Sequence, residues 1–297
     1  MATHRGALIA IALLAASPVM AQDNAPPQTI LFVGNSFTFG AISPVWKYRA
    51  DSVTDLNHDG VGGVPALFKL FTRQAGLNYA VSLETSPGKS LKWHWDNRRT
   101  VIDRAWDHVV LQEYSTLDAD APGNPANLIA YAKRLVDMVA ARNPKVEVSL
   151  TATWSRPDQV YLKTGHWYGQ PIAQMALDIR RANDQAARSA PMINKVHPVG
   201  QAFTCAIAAG VADPDPYDGT SFGQIDLWSW DQYHASTFGY YLEALTVYAD
   251  VTGKDPRTLG ADEVAAQELG ISPKIAMQLQ RIAAAAVAGT PCDKVAG

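Results

Sequence analysis

Gly34-Asn35-Ser36-Phe37-Thr38 follows directly on the apolar run Thr29 to Val33. A serine at the end of a buried strand stands where open α/β sheets bind their ligands, and a glycine just before it lets the chain turn tightly, so that the amides beyond can face a developing anion. Such a serine becomes a nucleophile once a base takes its proton. The plainer reading of the same residues is a strand-to-helix cap. The chain has seven histidines to supply that base: His4, His58, His94, His108, His166, His197 and His234. His58 falls in a polar turn, His94 between Trp93 and Trp95 on a helix, and His108 at the start of a strand, all places where a structural role suffices. His234 differs, because Asp231 precedes it in the irregular stretch Asp231-Gln232-Tyr233-His234. There the carboxylate can hold the Nδ1 proton and leave Nε2 facing outward as general base. A solvated surface pair is the plainer reading of that motif as well.

Elements must carry these residues to one place. Thr29 to Val33 is β-branched and apolar, as strands buried on both faces are, and Tyr79 to Leu83, His108 to Leu111, Val146 to Thr151 and Asn194 to Val199 are the next candidates. Between the third and fourth, Leu128, Tyr131, Ala132, Leu135 and Val139 recur at helical spacing behind an Asn124 cap with Pro125 at the first helical position, and Asn143-Pro144 stops the helix. Ser236 caps a helix through Tyr240, Leu245 and Tyr248 that Gly253 ends. Strand and helix alternating over the whole length predict an α/β fold, a three-layer α/β/α sandwich around a mostly parallel sheet of about five strands. The Ala-rich stretch Glu263 to Gly289 adds terminal helices to the same domain. Trp154 to Gln170 and Gly210 to Trp230 show no period and are rich in Pro, Gly, Asp and aromatics, and loops that long are often functional.

With 297 residues, 47% hydrophobic and 18% charged, the chain is too long and too apolar for a disordered segment or a disulfide-stapled miniprotein. Lys plus Arg number 25 against 28 Asp plus Glu, a net charge of −3 that favours neither nucleic acid nor an anionic membrane surface as partner. Cys205 and Cys292 cannot make a four-cysteine zinc site, and one bridge between them is open. Positive charge in Met1 to Arg5, the small and apolar run Gly6 to Ala16 and the compact residues Val19-Met20-Ala21 read as a secretory signal cleaved before Gln22. That run is far shorter than the roughly 20 residues needed to span a bilayer, so no membrane anchor is expected. Residues 22–297 are then a single domain, periplasmic or secreted. Two motifs point elsewhere and fail on context. Gly219-Thr220-Ser221-Phe222-Gly223 fits the G-x-S-x-G elbow, but Asp213 to Asp218 ahead of it cannot pair in a sheet centre. Asp55, Asn57, Asp59 and Gly60 open like a calcium loop, yet its last position is Ala66, which leaves out the bidentate carboxylate.

The Gly-Asn-Ser-Phe-Thr block after the first strand and the Asp-x-x-His block before the last large helix together resemble the SGNH (GDSL-type) hydrolase superfamily, whose sheet is flavodoxin-like. The resemblance runs through short blocks over most of the chain. It implies a Ser36, His234, Asp231 triad, with an oxyanion hole from the Ser36 and Gly88 amides; Gly88, in Ser86-Pro87-Gly88-Lys89-Ser90, falls after the second predicted strand. Two departures stand out. Asn35 sits where the family's name motif has aspartate, and Leu111-Gln112-Glu113-Tyr114-Ser115 lacks the Gly-x-Asn-Asp that supplies an oxyanion asparagine. Gln112 is the expected substitute donor and Glu113 a polar group facing the pocket, unless both only tie down the loop. Several of Trp93, Trp95, Trp154, Trp167, Trp228 and Trp230 lie in loops expected to rim the sheet edge, with Trp154 and Trp230 as substrate contacts; such rims suit sugar faces, although tryptophans also fill cores. What the resemblance implies is an exported serine esterase that cleaves small acyl esters, acetyl on carbohydrate among them, and needs no metal or other cofactor. Its partner would be a small-molecule or glycan ester. A catalytically silent glycan-binding protein and a sugar O-acyltransferase on the same fold are the alternatives.

Overall fold

In the computed structural model, which describes residues 1–2 and 26–292, the run Gln28–Gly34 forms a central strand, β1. The expected signal segment and its cleavage point before Gln22 lie outside the described residues, apart from Met1 and Ala2. Five more strands join β1: β2 (Thr54–Asp55), β3 (Tyr79–Thr85), β4 (His108–Leu111), β5 (Glu147–Thr151) and β6 (Ile193–His197). They form one parallel sheet in the order β2-β3-β1-β4-β5-β6. The two-residue edge strand β2 has no readable pattern of its own, which is why about five strands were legible and six are present.

The intervening helices are α1 (Ser36–Phe39), α2 (Gly63–Gln74), α3 (Leu91–Ile102), α4 (Ala126–Arg142), α5 (Pro157–Val160), α6 (Ala173–Ser189), α7 (Val199–Ala208), α8 (Thr237–Thr252), α9 (Val264–Glu268) and α10 (Pro273–Ala288). β1 explains why its sequence is a continuous apolar run. Ile30 and Phe32 point into one core with Phe68 and Phe71 of α2, Phe203 of α7, Tyr241 and Tyr248 of α8 and Leu279 of α10. Leu31 and Val33 point into the other, against Leu91 of α3, Leu135 and Val139 of α4 and Ile179 of α6. A strand with both faces covered has no solvent side on which to place polar residues. The chain leaves β1 toward β3 and then crosses to β4 on the other side, so β1 lies at the switch point where the crevice at the carboxyl edge opens.

Helix boundaries follow local signals closely. Asn124 accepts the Ala126 amide at 3.0 Å, and Pro125 stands at the cap rather than one place inside α4 as the sequence suggested. Ser236 caps α8 by accepting the Gly239 amide, and Gly253 ends that helix in the left-handed region at φ +67°. A disulfide joins Cys205 on α7 to Cys292 after α10 across a sequence separation of 87 residues. Closing so long a loop restricts the unfolded chain, so replacing both cysteines with serine is expected to lower unfolding free energy by about 2 to 4 kcal/mol. Denaturant melts under non-reducing conditions measure this, and coincident curves for the two proteins would show that no bridge constrains the chain.

Candidate active site

β1 closes on Gly34, a position where nothing larger fits. A Cβ on Gly34 would come within 2.2 Å of the Thr38 hydroxyl and 2.7 Å of Gln112 Oε1. That glutamine oxygen accepts both the Asn35 amide and the Thr38 hydroxyl, each at 3.0 Å. The Asn35 side chain accepts the Phe37 amide at 3.1 Å and donates to the carbonyls of Lys89 and Glu113 at 3.0 and 3.3 Å. One asparagine thus ties the turn after β1 to the loops after β3 and β4. The amides of Phe37 and Thr38 are taken by Asn35, whereas those of Ser36 and Gly88 meet no protein acceptor among the described residues. Gly88 adopts φ +64° in an exposed turn. Tyr240 of α8 donates its hydroxyl to the Ser36 carbonyl at 3.1 Å and holds the serine from the opposite side.

The Asp231 to His234 loop closes on itself. Asp231 Oδ1 accepts the amides of Tyr233 and His234 at 3.1 and 3.0 Å, and Oδ2 lies 2.6 Å from His234 Nδ1. Gln232 takes a left-handed φ of +52° to make so tight a return. His234 Nε2 is buried and meets no partner among the described residues, so the ring is oriented and its second nitrogen left open. Ser36 Oγ is not hydrogen-bonded to it in this structure; catalytic hydrogen bonds commonly tighten only with substrate present. Phe37, the residue after the serine, brings the two together, with its ring 5.7 Å from that of His234 and 5.5 Å from that of Tyr233.

Two of the three expected substrate contacts are placed elsewhere than expected. Trp154 is fully buried, stacked between Phe37 at 4.2 Å and Phe203 at 4.9 Å, and its indole N–H donates to the Tyr233 carbonyl. It supports the site from beneath and does not rim it; Trp167 and Trp228 are likewise core. Glu113 is buried, and its Oε1 accepts the Leu91 and Tyr114 amides at 3.1 and 2.7 Å, which anchors the start of α3. Trp230, by contrast, is 80% exposed beside Asp231. Gln112 also has another task than the one expected. Its carbonyl holds the Asn35 and Thr38 groups and its amide turns to the Glu113 carbonyl, so it organises the serine turn from within. From Gly88 a cavity of about 240 Å³ runs along Lys89, Trp93, Tyr114, Asp118 and Asn127.

Other histidines are also paired with carboxylates. His94 is paired with Glu84 inside the molecule. His197 reaches both Asp250, at 2.6 Å, and Ser149, at 2.8 Å, which by distance alone is a second Ser-His-Asp chain. His197 has no exposure, and the depression beside Ser149 holds about 10 Å³, no more than the volume needed for one water. The elbow-like Ser221 lies exposed in a loop, its amide bound to Asp213. The Asp55 carboxylate is engaged by the amides of Asn57, Asp59 and Val61, so the calcium-like turn closes on itself. Among the described residues no group of three or more His, Cys, Asp or Glu side chains is arranged to hold a metal, and no helix is long and apolar enough to cross a membrane.

No protein-family model matches the sequence, and no curated protein matches it significantly. Solved structures do. A DUF4886 family protein from Bacteroides uniformis superposes with a TM-score of 0.61 at 19% identity, over 89% of this chain and 95% of that one. A candidate GDSL-like lipase from Parabacteroides merdae gives 0.52 at 16% identity, over 76% and 95%. A candidate SGNH hydrolase from Slackia heliotrinireducens gives 0.50 at 21%, over 75% and 98%. The fold is that of the SGNH/GDSL hydrolases.

Burial raises the Glu113 carboxyl to about 7 against the opposing pull of the Tyr114 and Leu91 amides. The folded chain therefore keeps a proton that the unfolded chain releases at its ordinary value of 4.5. The stability this contributes is full below that value and is lost as pH rises toward 7. Glu113→Gln keeps the acceptor oxygen and carries no charge to bury, so it should gain on the wild type between about pH 5 and pH 8, by about 2 to 3 kcal/mol. Urea melts across that range check it; a pH-independent difference would mean that the carboxyl titrates like an exposed one.

Proposed function

We propose that the chain is an exported serine esterase, with Ser36 as nucleophile, His234 as base and then acid, and Asp231 as the group that orients the imidazole. One observation carries the reading. The Asp231 clasp leaves His234 Nε2 without a partner, on a ring 5.7 Å from that of Phe37, whose neighbour Ser36 carries a hydroxyl and an unpaired amide. Ser36 Oγ attacks the ester carbonyl as Nε2 takes its proton, and the amides of Ser36 and Gly88 receive the oxyanion. Collapse of that intermediate returns the proton to the departing alcohol, and water repeats the sequence to release the acid.

Small acyl esters on carbohydrate, acetyl among them, are the substrate class this reading favours. Supporting it, the cavity that begins at Gly88 pairs the Trp93 indole with the polar groups of Lys89, Asp118 and Asn127, a mixture suited to a sugar ring. The Cys205 to Cys292 disulfide supports export, since such bridges persist in oxidising compartments.

Hydrolysis of p-nitrophenyl acetate by residues 22–297 tests the reading. Ser36→Ala should lose turnover by several orders of magnitude, Asp231→Asn about 10³ to 10⁴ in kcat, and Ser221→Ala nothing. Equal turnover by Ser36→Ala and wild type would end the enzyme reading, and glycan binding without turnover would favour a silent binder instead.

A further inference from the structure

Without the family's asparagine, and with Gln112 committed to the serine turn, two backbone amides are left for the oxyanion. An unused polar assembly stands beside them. Arg156, on the loop after β5, is buried, with Nε and Nη2 on Asp158 at 3.0 and 2.6 Å and Nη1 on Ser115 Oγ at 3.0 Å. Its guanidinium carbon lies 3.6 Å over the ring of Tyr233, inside the Asp-x-x-His loop itself. Ser115 is buried on the segment after β4, in the stretch where the family's oxyanion asparagine would be found.

The direction of this chain is set by chemistry. A guanidinium has only donors, so Ser115 Oγ must accept from Arg156, and the serine's own proton is left to point onward. Tyr233 is the next polar side chain along: its ring lies 4.0 Å from that of His234 and 5.5 Å from that of Phe37, the neighbour of Ser36. This sets its hydroxyl within electrostatic reach of both Ser115 and Ser36. Burial, with a smaller push from Tyr114, raises the phenol above its ordinary value against the pull of Arg156, Ser115 and Ser36, so the hydroxyl keeps its proton. A cation over the ring face draws electron density from the phenol and strengthens its O–H as a donor.

On the reading of Ser36 as nucleophile, we infer that Tyr233 is the third oxyanion donor, its hydroxyl hydrogen-bonding the substrate oxygen in the tetrahedral intermediate, with Ser115 and Arg156 as the positioning residues that aim it. The electron count is that of acyl transfer. As the Ser36 Oγ–C bond forms, the carbonyl π pair moves onto oxygen and Tyr233 donates to it without giving up its proton. When the pair returns, the bond to the alcohol oxygen breaks and His234 protonates that oxygen.

Tyr233→Phe removes one oxygen atom and keeps the ring between Arg156 and His234, so the packing is held constant. It should lower kcat for p-nitrophenyl acetate by about 10² to 10³ with KM and melting temperature near wild type, because such a donor acts on the intermediate more than on the planar ester. Ser115→Ala should lower kcat roughly tenfold and add nothing in the Tyr233→Phe background, where there is no hydroxyl left to aim. Wild-type kcat in Tyr233→Phe alongside an inactive Ser36→Ala would overturn this inference and leave the esterase reading standing. A loss confined to KM or to melting temperature, or additive effects of the two variants, would also overturn it, as a merely structural tyrosine. Full turnover in Ser36→Ala would instead remove the reading on which it rests.

Discussion

Trp154 lies face to face between Phe37 and Phe203, and the carboxyl edge of the sheet is arranged around that stack. Phe37 is the neighbour of the serine, Phe203 belongs to α7, and the Trp154 N–H holds the carbonyl of Tyr233, the neighbour of His234. Three segments far apart in the chain are thereby fixed by one rigid aromatic group. Large flat side chains suit this use, since they fill space at little conformational cost and the indole N–H finds a buried acceptor. Tyr240 adds a second tie from α8 through its hydrogen bonds to the carbonyls of Ser36 and Ala41.

Above the stack the polar groups are organised by accounting of donors. Asn35 takes two carbonyls from two loops and the Phe37 amide, and Gln112 takes the Asn35 amide and the Thr38 hydroxyl. The Asn35 carbonyl takes the Thr38 and Phe39 amides and Tyr240 donates to the Ser36 carbonyl, so that of the serine turn's amides the one of Ser36 is left over. An unsatisfied donor is costly where it is buried and useful where a substrate oxygen completes it. The same logic holds for His234 Nε2, which Asp231 orients and no other described residue engages.

The comparison with His197 shows how little a triad's distances mean alone. His197 joins Asp250 and Ser149 at distances any catalytic triad would match, yet it is sealed in the interior with no space for a substrate. The pair at Asp231 and His234 differs by its contact, through the Phe37 ring, with the serine turn at the strand switch point, where the Ser36 amide is unclaimed. Function on this sheet is a matter of where the hydrogen bonds are made.

Much of this was legible in the residues by themselves. The strands declared themselves because both faces of β1 are covered, and the caps at Asn124 and Ser236 because they depend on a side chain and an amide two or three residues apart. The Asp231 to His234 clasp is local in the same way, which is why its spacing could be read. Trp154 as a core pillar, Gln112 as a tie within the serine turn, and Arg156 joined to Ser115 and Tyr233 were not legible. Each depends on which way a side chain points after distant segments pack, and a tryptophan or a glutamine near a strand end is compatible with several directions until its neighbours exist. Short-range geometry is written in sequence separation, whereas the partner of a long side chain is decided only when tertiary packing brings other segments within reach.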